Sequence, residues 1–316
     1  MPDRNSQGTL AYLPTGDPPP RKSRWLKITA ITAAVILLIY TGLSIFGSIA
    51  IMHIPRLTTV GSPSDVGLSY QDVSFPTRGD GLTLKGWYIP AGGRKVIIVV
   101  HGGYETRVDE VVDTLDLAHD LNQQGFDLLL FDLRGRGESE GTGHSLEHID
   151  SDLGGALDYI ESLGFSDSSI GMLGFCSGAA SACIFASDNN LGAIMLDGCF
   201  ASVTGMIKNQ AARFHIPGLL VDVFIPGLRL GTYSFYRYSQ LDPIDVVGQI
   251  QAPIFFVHEQ HDDFITLAEM QSLLAASVNP SNTLWEIPGA LHSEGFRTDP
   301  AEYIARVSAF FNSSLS

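Results

Sequence analysis

The pentapeptide Gly174-Phe175-Cys176-Ser177-Gly178 places a thiol between two glycines, each two residues away. It follows an apolar stretch typical of a strand and precedes a stretch typical of a helix. A sharp strand-turn-helix crowds the positions two residues on either side of its apex, where glycine avoids a clash. Ser177 lacks this spacing because Phe175 stands two residues before it. The following helix would present its positive N-terminal end to Cys176, which favours a thiolate nucleophile and stabilises an oxyanion.

The segment His101-Gly102-Gly103-Tyr104 directly follows the apolar run from Val96 to Val100. A turn at a strand end can aim a main-chain amide at a nucleophile, so we expect the amides of Gly103 and Ser177 to hold an oxyanion. Tyr104 is the predicted substrate-binding side chain. Taken alone, this segment is better explained as an ordinary glycine turn.

A carboxylate and a base are predicted after the last two strands. Asp262 follows one apolar strand and is our choice for the acid, with Asp263 as its nearest rival and Asp197 as a further alternative. His292 follows the final strand. A lone loop histidine is more often solvated than catalytic, but the chain order nucleophile, acid, base, each just past a strand end, predicts a catalytic triad of Cys176, Asp262 and His292.

Short apolar runs alternate with helical patterns over most of the chain, which predicts a mostly parallel sheet with helices on both faces. The first two strands are predicted to form an antiparallel pair around a turn at 78–81. The pattern breaks down between about 201 and 240, where aromatic residues, prolines and glycines dominate. We interpret this segment as a cap insertion that lines an apolar acyl pocket, or alternatively as a helical cover packed on the core. The predicted strands are 70–75, 82–88, 95–100, 128–131, 169–173, 193–196, 253–257 and 283–287, and the predicted helices are 109–124, 146–163, 178–187, 267–277 and 300–311.

The N-terminal part contains 25 consecutive residues, 28–52, without Asp, Glu, Lys, Arg or His. A helix of this length would measure about 37 Å, enough to cross a hydrocarbon core of about 30 Å. A cleaved signal peptide is the alternative, but its apolar region is shorter, about 7–15 residues. Only Arg56 follows the run closely, so the positive-inside rule predicts a single-pass protein with a cytoplasmic N-terminus and an extracytoplasmic catalytic part. The basic residues that precede the run are Arg21, Lys22, Arg24 and Lys27.

These patterns predict a disordered cytoplasmic tail over 1–24, a transmembrane helix over 25–54, a linker over 55–66 and a catalytic domain over 67–316. Residues 1–56 carry six Lys or Arg and two Asp or Glu, and the rest of the chain carries 13 basic against 32 acidic residues. Such an acidic surface is a poor partner for nucleic acid or anionic headgroups. Three cysteines without a CxxC pair indicate neither a disulfide framework nor a structural zinc site, and we predict no metal or other cofactor.

With these motifs, residues 65–315 resemble the α/β-hydrolase superfamily, and the closest pattern is that of its membrane-anchored, prolyl-oligopeptidase-like serine hydrolases. The segment from Asp132 to Ser139 is similar to the D-x-R-G-x-G-x-S turn common in that superfamily, in which Asp132 and Arg134 would fix the turn. The resemblance implies an α/β-hydrolase fold with a mostly parallel eight-stranded sheet. Cysteine replaces the usual serine, as in dienelactone hydrolases and polyhydroxyalkanoate synthases, and Glu259 stands where glycine is usual.

The predicted function is hydrolysis of a carboxylic ester, lactone or thioester of a small molecule through a covalent acyl-enzyme on Cys176. A thiolate expels alkoxides and thiolates more readily than amines, which disfavours peptide cleavage. Two alternatives remain open: an acyltransferase that uses the same triad, and a catalytically inactive binding protein. Cys199 follows a strand expected beside the one that leads to Cys176, so the two thiols could pair under oxidation, although a small buried residue without a redox role explains Cys199 as well.

Overall fold

The computed structural model describes residues 21–142, 148–236 and 241–316. The predicted tail lies outside the described residues except for 21–24, as do the first two residues of the predicted helix 146–163 and the last four of the insertion. The chain divides into two compact units, one ending at Leu43 and the other spanning Ser44–Ser316. The bounds of the α-helices are α1 Arg21–Met52, α2 Thr114–Gln123, α3 Ile149–Ser162, α4 Ser177–Asp188, α5 Val203–Arg213, α6 Gly218–Tyr236, α7 Pro243–Val246, α8 Leu267–Ala276, α9 Gly295–Thr298 and α10 Pro300–Ser314.

Eight strands form one sheet in the order β1-β2-β4-β3-β5-β6-β7-β8. β1 and β2 pair antiparallel, as do β2 and β4, and all other neighbours are parallel. The predicted eight-stranded, mostly parallel sheet is therefore confirmed. The strands are β1 Gln71–Pro76, β2 Thr83–Ile89, β3 Val96–Val100, β4 Asp127–Phe131, β5 Ile170–Phe175, β6 Ala193–Asp197, β7 Ile254–Glu259 and β8 Thr283–Ile287.

The sheet is covered on both faces. Every residue of β3 through β7 is buried, which explains why these strands are mostly apolar and do not alternate between apolar and polar residues. Residues of α3, α4 and α8 pack on one face, and residues of α2 and α10 pack on the other. Because β3, β5, β6, β7 and β8 are parallel, the residues that follow them all lie at the same carboxyl edge of the sheet.

Two segments differ from their predicted form. α2 begins at Thr114 rather than 109, because Asp109 Oδ1 accepts hydrogen bonds from the amides of Val111 and Val112, at 2.8 and 3.2 Å, and holds a turn there. The insertion contains the helices α5 and α6, although its composition suggested no regular pattern. α6 runs for 19 residues despite Pro226 in its interior, since one missing amide does not stop a helix that tertiary contacts support.

Candidate active site

Cys176 stands at the apex of a sharp turn between β5 and α4. Its backbone adopts φ 51° and ψ −117°, a strained conformation that L-residues rarely adopt. Gly174 and Gly178 are required because other backbone atoms lie where a Cβ atom would stand. A Cβ on Gly174 would lie 2.6 Å from Ala179 Cα, and one on Gly178 would collide with the carbonyl oxygens of Val100 and His101. The local chain path therefore exposes the thiol at the carboxyl edge of the sheet, next to the start of α4.

The loop after β7 brings Asp262 to His292. Nδ1 of His292 donates to Asp262 Oδ2 at 2.6 Å. The other carboxylate oxygen, Oδ1, accepts hydrogen bonds from the amides of Phe264 and Ile265 at 2.7 and 2.9 Å. The Asp262 side chain is fully buried. Because three donors hold this carboxylate, it fixes both the orientation and the tautomer of the His292 ring.

The ring of His292 is 15% exposed and stacks on Phe264, with the ring centroids 4.9 Å apart. Its Nε2 is buried and makes no hydrogen bond of regular geometry among the described residues, yet the Cys176 thiol lies close enough to interact with it. Burial acts to lower the pKa of His292, but the hydrogen bond to Asp262 and the interaction with Cys176 outweigh burial and raise the pKa to about 10. His292 is therefore positively charged at neutral pH. The protonated Nε2 of His292 can therefore donate a proton to a leaving group next to Cys176.

The other candidate carboxylates lie elsewhere. Asp263 Oδ2 faces Arg213 Nη2 at 3.3 Å and is exposed. Asp197 is fully buried and accepts a hydrogen bond from the Tyr303 hydroxyl at 2.6 Å. Glu259, also fully buried, is the last residue of β7, and burial together with the nearby Asp197 charge raises its pKa well above the ordinary value. Among the three aspartates, the structure places Asp262 against His292.

The glycine turn after β3 lies beside the thiol. A Cβ on Gly102 would lie 3.7 Å from Cys176 Cβ, and one on Gly103 would lie 2.7 Å from Ser177 Oγ. The two predicted oxyanion donors, Gly103 and Ser177, are therefore neighbours at the site. Tyr104 follows them with 58% of its surface exposed, as a side chain that contacts a substrate from outside would require.

Sequence reasoning missed the part played by Arg136. Arg136 is 2% exposed, and its guanidinium donates from Nε and Nη2 to the carbonyl oxygen of Gly103, at 2.9 and 2.7 Å. This contact holds the turn that carries the Gly103 amide. One feature of the sequence could have indicated this role. Arg136 occupies the second x of the D-x-R-G-x-G-x-S segment, and a charged side chain in a tight turn needs a hydrogen-bond partner.

Asp132 and Arg134 are placed as the resemblance implies, in the turn after β4. Asp132 accepts hydrogen bonds from the amide of Arg107 at 2.8 Å and the amide of Glu138 at 3.1 Å. Arg134 binds Asp152 at 2.6 Å. These contacts hold the loop in shape and leave both side chains away from the thiol chemistry.

One cluster has the composition of a metal site. Ligand atoms of His258, Glu259 and Asp262 lie within 4.8 Å of one another. Asp262, however, already uses Oδ2 for His292 and Oδ1 for two amides. A divalent cation would have to displace these hydrogen bonds, so the hydrogen-bonded arrangement describes the cluster better.

Cys199 is free, like Cys176, and is fully buried. Burial raises the pKa of its thiol well above the ordinary value. Its Sγ contacts the carbonyl oxygen of Phe200 at 3.5 Å. A buried, protonated thiol reacts slowly in disulfide exchange, which favours the role of a small core residue.

The fold and the sequence both have known relatives. Residues 95–213 match the family model described as alpha/beta hydrolase fold. The uncharacterised protein YfhR of Salmonella typhi is 30% identical over 250 residues, which cover 72% of this chain and 75% of that protein. An esterase from Pyrococcus furiosus superimposes with a TM-score of 0.71 at 23% identity, covering 84% of this chain and 99% of that one. The α/β hydrolase GrgF from Penicillium sp. sh18 gives a TM-score of 0.63 at 21% identity, covering 78% and 99%. At these identities the two solved structures share the fold.

Proposed function

The chain belongs to the α/β-hydrolase superfamily, and on that premise we propose that it hydrolyses carboxylic ester, lactone or thioester bonds with Cys176 as the nucleophile. One observation carries the proposal. His292 is held by Asp262 at 2.6 Å through Nδ1, and its other ring nitrogen is buried beside the thiol of a residue in a strained turn. The esterase named among the structural relatives is in keeping with ester chemistry.

The first half of the cycle acylates the thiol. The Cys176 thiolate attacks the carbonyl carbon, and the amides of Gly103 and Ser177 stabilise the tetrahedral oxyanion. When the intermediate collapses, the carbon–oxygen bond of an ester breaks and the departing alkoxide takes the proton from His292 Nε2. The products of this half are an alcohol and a thioester on Cys176.

The second half returns the free enzyme. His292, now neutral, accepts a proton from water, and the resulting hydroxide attacks the thioester carbonyl. The second tetrahedral intermediate expels the Cys176 thiolate and releases a carboxylic acid, while His292 keeps the proton for the next cycle. Asp262 stabilises the imidazolium throughout, and no metal or cofactor takes part in this sequence.

The direct test is whether the intact chain hydrolyses a short-chain ester and carries the acyl group on Cys176. Acid quenching during turnover, followed by mass analysis of the peptide that contains Cys176, should find the mass of one acyl group. Hydroxylamine should remove that group, because it cleaves thioesters. Acylation of another residue would contradict the assigned nucleophile.

Asp262→Asn should lower kcat/KM for a short-chain ester by about a hundredfold or more, because an amide at this position favours the wrong imidazole tautomer. Asp263→Asn is the matched control, since its carboxylate faces Arg213 at the surface. We expect a change of less than about twofold there. The two variants, assayed side by side, test the assignment at adjacent positions. Equal losses, or a greater loss for Asp263→Asn, would contradict it.

We also propose that α1 anchors the protein in a membrane. Residues 24–52 of α1 form a 29-residue helical segment that contains an 18-residue window with a mean hydropathy of 2.2. We retain the proposed division into tail, transmembrane helix, linker and catalytic domain, with boundaries at 24, 54 and 66. The start of the linker is attached to the catalytic unit, because Arg56 Nη1 donates to the carbonyl oxygens of Gly137 and Ser139 at 2.9 and 2.6 Å.

The proposed orientation places the N-terminus in the cytoplasm and the catalytic unit outside, because four basic residues precede the apolar run and only Arg56 follows it closely. Protease added to intact spheroplasts should therefore digest the catalytic unit, whereas a cytoplasmic marker protein should survive. Membrane fractions should retain the protein through a high-salt wash. Protection of the catalytic unit until the membrane is opened would show the reverse orientation.

A further inference from the structure

α6 carries an apolar stripe that faces away from the protein. Leu219, Val223, Pro226, Leu230 and Tyr233 recur at spacings of four and three residues, which places them on one side of the helix. All five are exposed, Leu219 by 76% and Leu230 by 66%. A helix on a water-soluble surface turns its polar side outward. The outward side of α6 has the opposite character and therefore needs an apolar environment.

The two charged residues of α6 lie at the margin of this stripe and are engaged with α5. Asp222 Oδ1 pairs with Lys208 Nζ at 2.6 Å, and Arg229 Nη2 donates to Thr204 Oγ1 at 3.0 Å. The stripe itself therefore has no charge.

The opposite side of α6 packs on the last turns of α1. Ser48 Oγ donates to the carbonyl oxygen of Leu228 at 3.1 Å. A Cβ on Gly231 would lie 2.9 Å from Ser48 Cβ, and one on Gly47 would lie 2.7 Å from Leu228 Cδ2. Small residues thus let the two helices approach closely, as helices in membranes do. Because the end of a membrane-spanning helix lies at the membrane surface, α6 packed on that end lies there too.

The same elements lead to the candidate active site. After α1, Ile54 is buried, and its Cδ1 lies 3.7 Å from the position of a Cβ on Gly103. On the other side, Asn209 of α5 donates to the carbonyl oxygen of Phe264 at 3.1 Å, and Phe264 stacks on His292. The chain just after the C-terminal end of α1 therefore borders the turn that carries Gly103. The helix α5 borders Phe264, which packs on His292.

We propose that the apolar stripe of α6 lies in the surface of the bilayer that α1 spans, and that the substrate is a lipid ester which enters the site from that bilayer. This inference rests on the proposed function and on the proposed membrane anchor. The catalytic part of the chain is strongly acidic, so the bilayer surface it contacts has neutral or zwitterionic headgroups, because anionic ones would repel it. A stripe without charge matches such a surface.

The first test compares two esters with the full chain in dioleoylphosphatidylcholine vesicles. The double variant Leu219→Glu, Leu230→Glu should hydrolyse vesicle-embedded 4-methylumbelliferyl oleate about tenfold more slowly, since two charges oppose insertion of the stripe. It should hydrolyse water-soluble 4-methylumbelliferyl acetate within about twofold of the unaltered chain. The matched control replaces two exposed apolar residues away from α6, Leu163 and Val278, by Glu and should leave both rates unchanged. An unchanged oleate rate in the α6 variant, or equal losses on both esters, would overturn the proposal.

The second test reports the position of the stripe without catalysis. In a chain that carries Trp25→Phe, Trp87 and Trp285 remain as a common background. The fluorescence that Leu230→Trp adds to it should be quenched by brominated phosphatidylcholine in the vesicles, and the fluorescence that Val278→Trp adds should not. If neither ester is hydrolysed but Leu230→Trp is quenched, the proposed function fails and the membrane contact stands. Equal quenching at both positions would overturn the membrane contact, as would an unquenched Leu230→Trp that cross-links to a second copy of the chain.

Discussion

Cys176→Ala should reduce the turnover of a short-chain ester by at least about ten-thousandfold, because the attacking group is lost while the oxyanion donors and binding contacts remain. The fold should survive, since the residue is small, partly exposed and contributes little packing. Its melting temperature should stay within about 3 °C of the unaltered protein. Activity per folded molecule, with folding monitored by circular dichroism, is the measurement.

The other thiols supply the control for this experiment. Cys183 lies in α4 and is fully buried in the core, and burial raises its pKa to about 12. Cys183→Ala should therefore cost about 1 kcal/mol of stability and leave the turnover per folded molecule unchanged. The opposite pattern, with an active Cys176→Ala and an inactive Cys183→Ala, would reject the assigned nucleophile.

His292→Ala should lower turnover by about a thousandfold or more, because the variant loses the group that protonates the alkoxide and activates water. It also leaves the buried Asp262 carboxylate without its ring partner, which should cost about 2 kcal/mol of stability. His292→Asn separates the two effects, since its side-chain amide occupies the Nδ1 position and donates to Asp262 but offers nothing at Nε2. We expect His292→Asn to recover most of the stability and none of the turnover. If His292→Asn recovered both the stability and the turnover, the role of His292 would be structural and not catalytic.

The same histidine predicts a pH dependence. Its pKa is raised from 6.5 to about 10 in the folded chain, so the protonated ring is the form that folding stabilises. Its contribution to stability is complete below about pH 6.5 and is lost as the pH rises through about 10. Turnover should decline over the upper part of that range as the imidazolium loses its proton. In Cys176→Ala the loss of stability should begin at lower pH, because the thiol no longer helps to hold the proton on His292. Thermal unfolding from pH 6 to 10.5 checks both signs.

The sequence by itself was sufficient for the sheet and for the position of the thiol. Buried parallel strands are continuous apolar runs, and their carboxyl ends share one edge, so the order of residues along the chain already groups those that follow β3, β5, β7 and β8. The glycines around Cys176 were equally readable, because the crowding they relieve arises within five residues of chain. The 25 consecutive residues without Asp, Glu, Lys, Arg or His likewise revealed α1, because a run of that length is apolar on every side of a helix.

Only the tertiary structure decided which groups touch. Asp262 and Asp263 are chemically alike and adjacent in the sequence. In the folded loop, Asp262 points inward and accepts hydrogen bonds from two amides and His292, whereas Asp263 points outward to Arg213. The contact of Arg136 with Gly103 joins separate loops. The outward face of α6 was hidden because Gly and Pro blur its local pattern, and because an apolar stripe does not reveal which way it faces. Steric crowding and hydrophobic patterns arise between residues that are neighbours in the sequence, so the sequence reveals them. The partner of a polar group and the direction of a helix face depend on distant segments that meet only when the chain folds.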